Sequence, residues 1–226
     1  MPGDEHSTRD RLLSAAERLF LSRAPEQVSV RAINAEAGLN PGAVHYHFGS
    51  REGLIAALLE RELAPLWADR LEDLARHDGA SFEVAELVAA IVRPFEELSR
   101  TEKGRMLCHL LARSALPDGR VPTSSPWFGP APFELMLGRA MPHLTPRELG
   151  QRWRLAFTLL LEIYGRPLSS RPATEGAPPD TATVIAFLTA GLTAPPVGQA
   201  APRPDPGDLT GPPRLPQPRR APPWGR

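Results

Sequence analysis

Cysteine, net charge and long apolar runs are all scarce in this chain. One cysteine, Cys108, stands among 226 residues, which rules out an internal disulfide and suits a reducing cytoplasm. The formal net charge is zero, so no cationic surplus advertises a polyanionic partner. Even residues 1–62 hold seven arginines against nine acidic residues. No apolar run approaches the roughly 18 residues of a membrane span, and the charged N-terminus does not fit a signal peptide. Spacings that carry catalysis are missing too: there is no nucleophile with its base, no metal-ligand cluster and no phosphate-cradling glycine loop. His45 and His47 form an H-x-H, but side chains at i and i+2 on a helix point apart. Cys108 in an apolar helix reads as a small core residue. The expectation is a cytoplasmic protein that is not an enzyme and takes no metal or cofactor.

What is present is concentrated between Ser29 and Arg51, SVRAINAEAGLNPGAVHYHFGSR. Val30, Ile33 and Ala37 fall at i, i+3 and i+7, one apolar stripe on a helix of about two turns. Ser29 sits where an N-cap hydroxyl is wanted. Gly38 is the residue best able to take a left-handed conformation and end that helix, and Leu39 is expected to plug the gap behind the turn. Asn40 offers a second N-cap and Pro41 a first helical position, so a second helix is expected from about Pro41. Its buried face is Val44 and Phe48, four residues apart, which leaves Asn40, Gly42, Ala43, His45, Tyr46 and His47 to point elsewhere. A helix of roughly 12 Å fits a major groove about 12 Å wide. This is the pattern of a helix-turn-helix.

Upstream, Leu12, Leu13, Ala16, Leu19 and Phe20 make one helical stripe, and downstream Ser50 can cap a long helix from Arg51. With AAERLF, the SVRAI start and AEAGLNPGAVHYHFGSREGLI at their spacing, Leu12 to Leu59 resembles the tetracycline-repressor (TetR) family of transcriptional regulators. The chain departs from that pattern in three places. Ala24-Pro25 stands where the family commonly has a glycine, His45 where it has a tyrosine, and Arg51 where it has a lysine. An imidazole can bond a phosphate or a base as a tyrosine hydroxyl does, but it is smaller and titrates. Arg51 keeps the positive charge for a phosphate.

Beyond the head the periodicity is helical throughout, giving an all-α fold. A helix from Arg51 to His77 carries Pro65 as an expected kink, and a helix from Ser81 carries Pro94. Shorter helices follow at Gly104 to Ser114 and at Phe133 to Met141, with a Pro/Gly-containing connection over 116–132 between them. Thr145-Pro146-Arg147-Glu148 combines an N-cap, a proline at N1 and a capping-box glutamate, so a helix begins there. Thr181 to Leu192 forms one more. Residues 194–226 are about one-third proline with hardly any large apolar residue, a composition that cannot order itself. The division expected is a helix-turn-helix domain over 1–50, a helical effector-binding and dimerisation domain over 51–194, and a disordered tail over 195–226.

The resemblance implies a one-component, ligand-responsive repressor acting as a homodimer on a palindromic operator of double-stranded DNA. It implies DNA contacts from Ser29, Arg31, Asn40, Pro41, Gly42, Ala43, His45, Tyr46, His47 and Arg51. It implies dimerisation through the last two helices, about 145–165 and 181–192, so that paired recognition helices roughly 34 Å apart read two half-sites. Effector release implies a site for a small apolar molecule, for which Phe95, Met106, Leu110, Trp127, Phe128, Phe133, Met136, Phe157 and Leu161 are the candidates. The same residues at helical spacing are also what any core contains. The alternative is a helical ligand-binding or protein-interaction module in which the helix-turn-helix is a packing unit only.

Overall fold

The leucine stripe of the amino-terminal segment sits on α1 (Pro2–Ser22), where Leu12, Leu13, Ala16, Leu19 and Phe20 are buried. The computed structural model describes residues 2–76, 82–116, 131–166 and 179–196. Pro25 does more than stop α1: it opens a 3-10 turn, Pro25–Gln27. Then come α2 (Val30–Glu36) and α3 (Ala43–Phe48), followed by α4 (Arg51–Arg76), which carries Pro65 inside it. Leu54, Leu58, Leu59 and Leu63 on α4 are fully buried and continue the core from the head into the rest of the chain.

Five further helices complete the described residues: α5 (Val84–Ser99), α6 (Glu102–Ala115), α7 (Ala131–Ala140), α8 (Pro146–Tyr164) and α9 (Thr181–Thr193). Local chemistry sets their starts. Thr101 Oγ1 accepts from Gly104 N at 2.9 Å, and Thr145 and Glu148 close the expected capping box. Asp180 Oδ1 accepts from Thr183 N at 3.0 Å. The helix expected from Ser81 begins at Val84, with Glu86 accepting the Glu83 N–H at 3.1 Å; Ser81 itself lies outside the described residues, as do 117–130 and the tail beyond 196.

Helix α5 is the central element, packed against α4, α6, α7, α8 and α9. Gly165, which closes α8, lies so near α6 that a Cβ there would collide with Ala112. Residues 1–194 form one compact unit with an apolar core running from Leu12 to Leu192. No helix among the described residues is long and apolar enough to cross a membrane.

Candidate nucleic-acid interface

Helices α2 and α3 are seven and six residues long, shorter than the roughly 12–15 residues at which an isolated helix becomes even marginal in water. Their conformation is therefore imposed by specific bonds. Ser29 Oγ caps α2 by accepting from Ala32 N at 3.2 Å. At the other end Gly38 adopts φ +65°, the left-handed conformation the turn needs. Arg11 of α1 donates from Nη2 to Ala37 O at 2.8 Å, placing a cation on the negative end of α2. Leu39 packs partly buried against the core, as its place behind the turn requires.

The start of the recognition helix differs from the sequence expectation. The chain turns through Asn40, Pro41 and Gly42, with Ala43 N bonded to Asn40 O at 3.0 Å, and regular helix runs from Ala43 rather than Pro41. Gly42 supplies no side-chain cap. The cap comes instead from Asn34 on α2, a residue the sequence reading missed. Asn34 is 1% exposed, the one buried polar residue among those described. Its Nδ2 donates to Pro41 O at 2.6 Å and its Oδ1 accepts from Val44 N at 3.1 Å. The signal was in the sequence: an asparagine inside a helical pattern is unfavourable unless its amide has specific work to do.

Val44 is fully buried and Phe48 packs against the core under the Arg9 guanidinium, 4.6 Å from its ring. That orientation turns His45 and Tyr46 outward, Tyr46 to 76% exposure. Ser29, Arg31, Asn40, Pro41 and Gly42 are also exposed, while Ala43 and His47 are half-buried. Tyr46 stands edge-on to the His47 ring, with centroids 4.9 Å apart. His45 Nδ1 lies 3.1 Å from Gly49 O. Because a carbonyl only accepts, Nδ1 carries the proton of that bond.

Arg51 is placed differently from the other candidates. Its side chain turns inward, donating from Nε to Val28 O at 3.2 Å and from Nη2 to Pro25 O, and its guanidinium lies 5.8 Å from the Phe20 ring. Other head arginines have similar structural work. Arg9 reaches His47 O at 3.4 Å, Arg18 pairs with Glu36 at 3.0 Å, and Arg61 pairs with Glu17 at 2.9 Å. Together with Arg11, five of the seven arginines between residues 1 and 62 are bonded within the protein.

Two polar clusters join this head to α6. Lys103 lies 2.7 Å from both Glu17 of α1 and Glu62 of α4. Burial pushes the Glu62 carboxyl up, but hydrogen bonds from Lys103 and Arg61 outweigh it and its pKa is lowered; burial pushes the Lys103 ammonium down, but Glu17 and Glu62 outweigh it and its pKa is raised. Farther along α6, His109 Nδ1 contacts Gly165 O at 3.0 Å, and Nε2 contacts Glu26 of the 3-10 turn at 3.3 Å. Both partners are acceptors, so the ring donates to either through the nitrogen that carries a proton. Arg113 adds a 3.3 Å contact to Glu26, whose pKa is lowered first by its backbone hydrogen bond and then by His109 and Arg113.

The proposed effector residues fall into the body core. Phe95 stacks on Tyr164 with centroids 5.6 Å apart and meets Trp67 at 5.2 Å. Phe133, Trp153 and Phe157 form a second stack, at 4.7 and 5.6 Å. Met106, Leu110, Met136 and Leu161 are buried; Trp127 and Phe128 lie outside the described residues. The Tyr164 hydroxyl is buried near Thr181 without closing a hydrogen bond. Cys108 is 1% exposed, and burial pushes its thiol up to about 12, so it holds no thiolate at neutral pH.

The family model for bacterial regulatory proteins of the tetR family matches residues 12–58. The HTH-type transcriptional regulator UidR of Escherichia coli is 35% identical over 68 residues, 28% of this chain and 35% of that protein. The HTH-type transcriptional repressor Rv3405c of Mycobacterium tuberculosis is 37% identical over 60 residues, 26% of this chain and 32% of that protein. The chain thus spans about a third of the length of these curated relatives. A TetR transcriptional regulator from Rhodococcus sp. RHA1 shares the fold at TM-score 0.53 and 18% identity, covering 83% of this chain and 95% of that one. The multidrug binding protein EbrR, solved with imidazole, does so at TM-score 0.53 and 22% identity, covering 84% and 97%. Residues 12–58 thus match the tetR family of bacterial regulatory proteins in sequence, and the helices that follow share the fold of solved TetR regulators.

Proposed function

We propose that this protein is a ligand-responsive transcriptional repressor that binds a palindromic operator as a homodimer. The observation that carries the reading is the outward face of α3, held by a buried asparagine and an apolar anchor while His45 and Tyr46 remain exposed. In this reading Asn40, Gly42, Ala43 and His45 face base edges, and Ser29, Arg31, Tyr46 and His47 hold phosphates. The smallness of Gly42 and Ala43 permits close approach and contact with a thymine methyl. Arg51 serves by fixing the start of α4 against the turn that precedes Ser29.

Dimerisation is supported by α8 and α9, which pack together and carry Leu155 at 73% and Phe187 at 66% exposure. Helix α9, TATVIAFLTAGLT, has no charged residue, and a helix uncharged on all sides with exposed apolar side chains calls for further cover. Repression and effector release are supported by relatives: Rv3405c is named a repressor, EbrR a multidrug binding protein, and NalD of Pseudomonas aeruginosa, at TM-score 0.50 and 21% identity, a repressor of a multidrug efflux pump. An apolar effector with one polar group suits the aromatic stacks and the Tyr164 hydroxyl. It acts only if it binds two head spacings with different affinity.

The test is a mobility shift on the DNA flanking the chain's own gene, with and without candidate effectors. Sequence-selective, salt-sensitive binding is expected, weakened by Tyr46→Ala and by Arg51→Ala. Its absence at low salt, together with tight binding of a small apolar molecule, favours a ligand-binding module that does not read DNA. Sedimentation checks the dimer: Leu155→Glu with Phe187→Glu is expected to give a folded monomer.

A further inference from the structure

We infer that Asn34 is the positioning residue of the recognition helix, setting its register for base reading from a helix that itself reads none. Three bonds converge on this residue. Its carbonyl accepts from Leu39 N at 2.9 Å, its Nδ2 donates to Pro41 O at 2.6 Å, and its Oδ1 accepts from Val44 N at 3.1 Å. They span the whole turn, from the residue after Gly38 to the first turn of α3. The partners also fix the amide orientation, since only nitrogen can donate to Pro41 O and only oxygen can accept from Val44 N–H.

The chemistry required at this position is narrow. Gly42 has no side chain to cap the helix it precedes, and no side-chain cap comes from its own end of the turn. A short side chain carrying one donor and one acceptor does both jobs from across the turn. Alanine does neither, aspartate accepts but cannot donate to Pro41 O, and glutamine carries both groups one methylene too far into a site that is 1% exposed. A six-residue helix has little internal cohesion, so loss of these bonds moves or frays the end that presents Asn40 to Ala43. The outward side chains stay in place chemically but lose their fixed spacing, and geometric loosening of a site lowers discrimination before it lowers attraction.

This inference rests on the DNA-reading proposal for its consequence but not for its geometry, and the experiment separates the two. The full-length protein and its Asn34→Ala and Asn34→Asp variants are compared at a temperature where circular dichroism shows each folded. Amide exchange at Val44 is followed in the free protein. Affinities are measured for a duplex selected by the wild-type protein from a random library and for an unselected duplex of equal length. In Asn34→Ala, Val44 exchange is expected to accelerate about tenfold or more while α4 amides hold, and the selected-to-unselected affinity ratio to fall by about tenfold or more. Binding to the unselected duplex stays within about twofold. Asn34→Asp is expected to lose at least as much. Should Asn34→Ala not fold, Asn34→Gln carries both readouts. Unchanged Val44 protection, or an unchanged affinity ratio in a folded variant, overturns the inference. If the wild-type protein selects no sequence from the library, the DNA-reading proposal fails, and Val44 exchange alone decides whether Asn34 holds the helix.

Discussion

The head and the body of this protein are held by different physics. In the helix-turn-helix, α2 and α3 have seven and six residues, and their shape depends on single directed bonds from Ser29, Asn34 and Arg11. In the body, α4 has 26 residues and α8 has 19, and amphipathic faces with two aromatic stacks suffice. Short recognition elements cannot bury enough apolar area to define themselves, so they borrow precision from polar groups; long helices do not need to. Between the two regions lies a third kind of contact. Lys103, Glu17 and Glu62 on one side, and His109, Glu26 and Arg113 on the other, join α6 to the head through polar and charged side chains. Such contacts break and reform at little cost.

Several measurements would break or sharpen that contrast. The largest effect is expected from the body: Phe95→Ala, which removes a buried ring from between Trp67 and Tyr164, should destabilise by about 3–5 kcal/mol in denaturant titration. A smaller loss of about 1–3 kcal/mol is expected for Gly165→Ala, whose Cβ would meet Ala112. If the head depended on packing in the same way, an apolar swap at Asn34 would be harmless there; about 1–3 kcal/mol is expected instead, from the orphaned Pro41 carbonyl and Val44 amide.

The junction should respond to pH more than to truncation. Glu62 has a lowered pKa, so its contribution is complete above 4.5 and is lost as pH falls through the lowered value; Lys103 has a raised pKa, so its contribution is complete below 10.5 and is lost as pH rises beyond it. The opening free energy of the α1, α4 and α6 contacts, taken from hydrogen exchange after correction for the intrinsic pH dependence of amide exchange, should be flat between about pH 5 and pH 10 and fall outside that window. A Lys103→Met variant that keeps both acid and alkaline limbs would show that the pair does not hold the head. The smallest expected signal is in salt. With Arg9, Arg11, Arg18, Arg51 and Arg61 bonded internally, Arg23 and Arg31 are the head arginines left to offer a cation, so for the proposed dimer a log–log slope of about −4 is expected rather than the −10 of heavily charged binders.

Much of this was legible in the residues. The stripe of Val30, Ile33 and Ala37, the Ser29 cap and the positive φ of Gly38 all follow from period and residue type, and Thr145-Pro146-Arg147-Glu148 forms its capping box as written. The start of α3 was not legible to within two residues. Asn40 and Pro41 have the right chemistry for a cap and a first turn, but the bond that decides the matter comes from Asn34, ten residues before Val44. The internal bonds of Arg51 were hidden in the same way. A cation after the recognition helix suits a phosphate, and nothing near it in the chain shows that the carbonyls of Pro25 and Val28, more than 20 residues earlier, also bond it.

The sequence by itself determined which segments are helical, where most of them are capped, and that two of them make a helix-turn-helix on an uncharged background. These are local properties, written in spacings of three and four residues and in caps read within one turn. Only the tertiary structure decided which polar groups are partners: Asn34 with the turn, Arg51 with the 3-10 segment, Lys103 and His109 with the head. Those bonds join residues far apart in the chain, and neither hydrophobic period nor cap chemistry encodes where a long or buried polar side chain will find its complement.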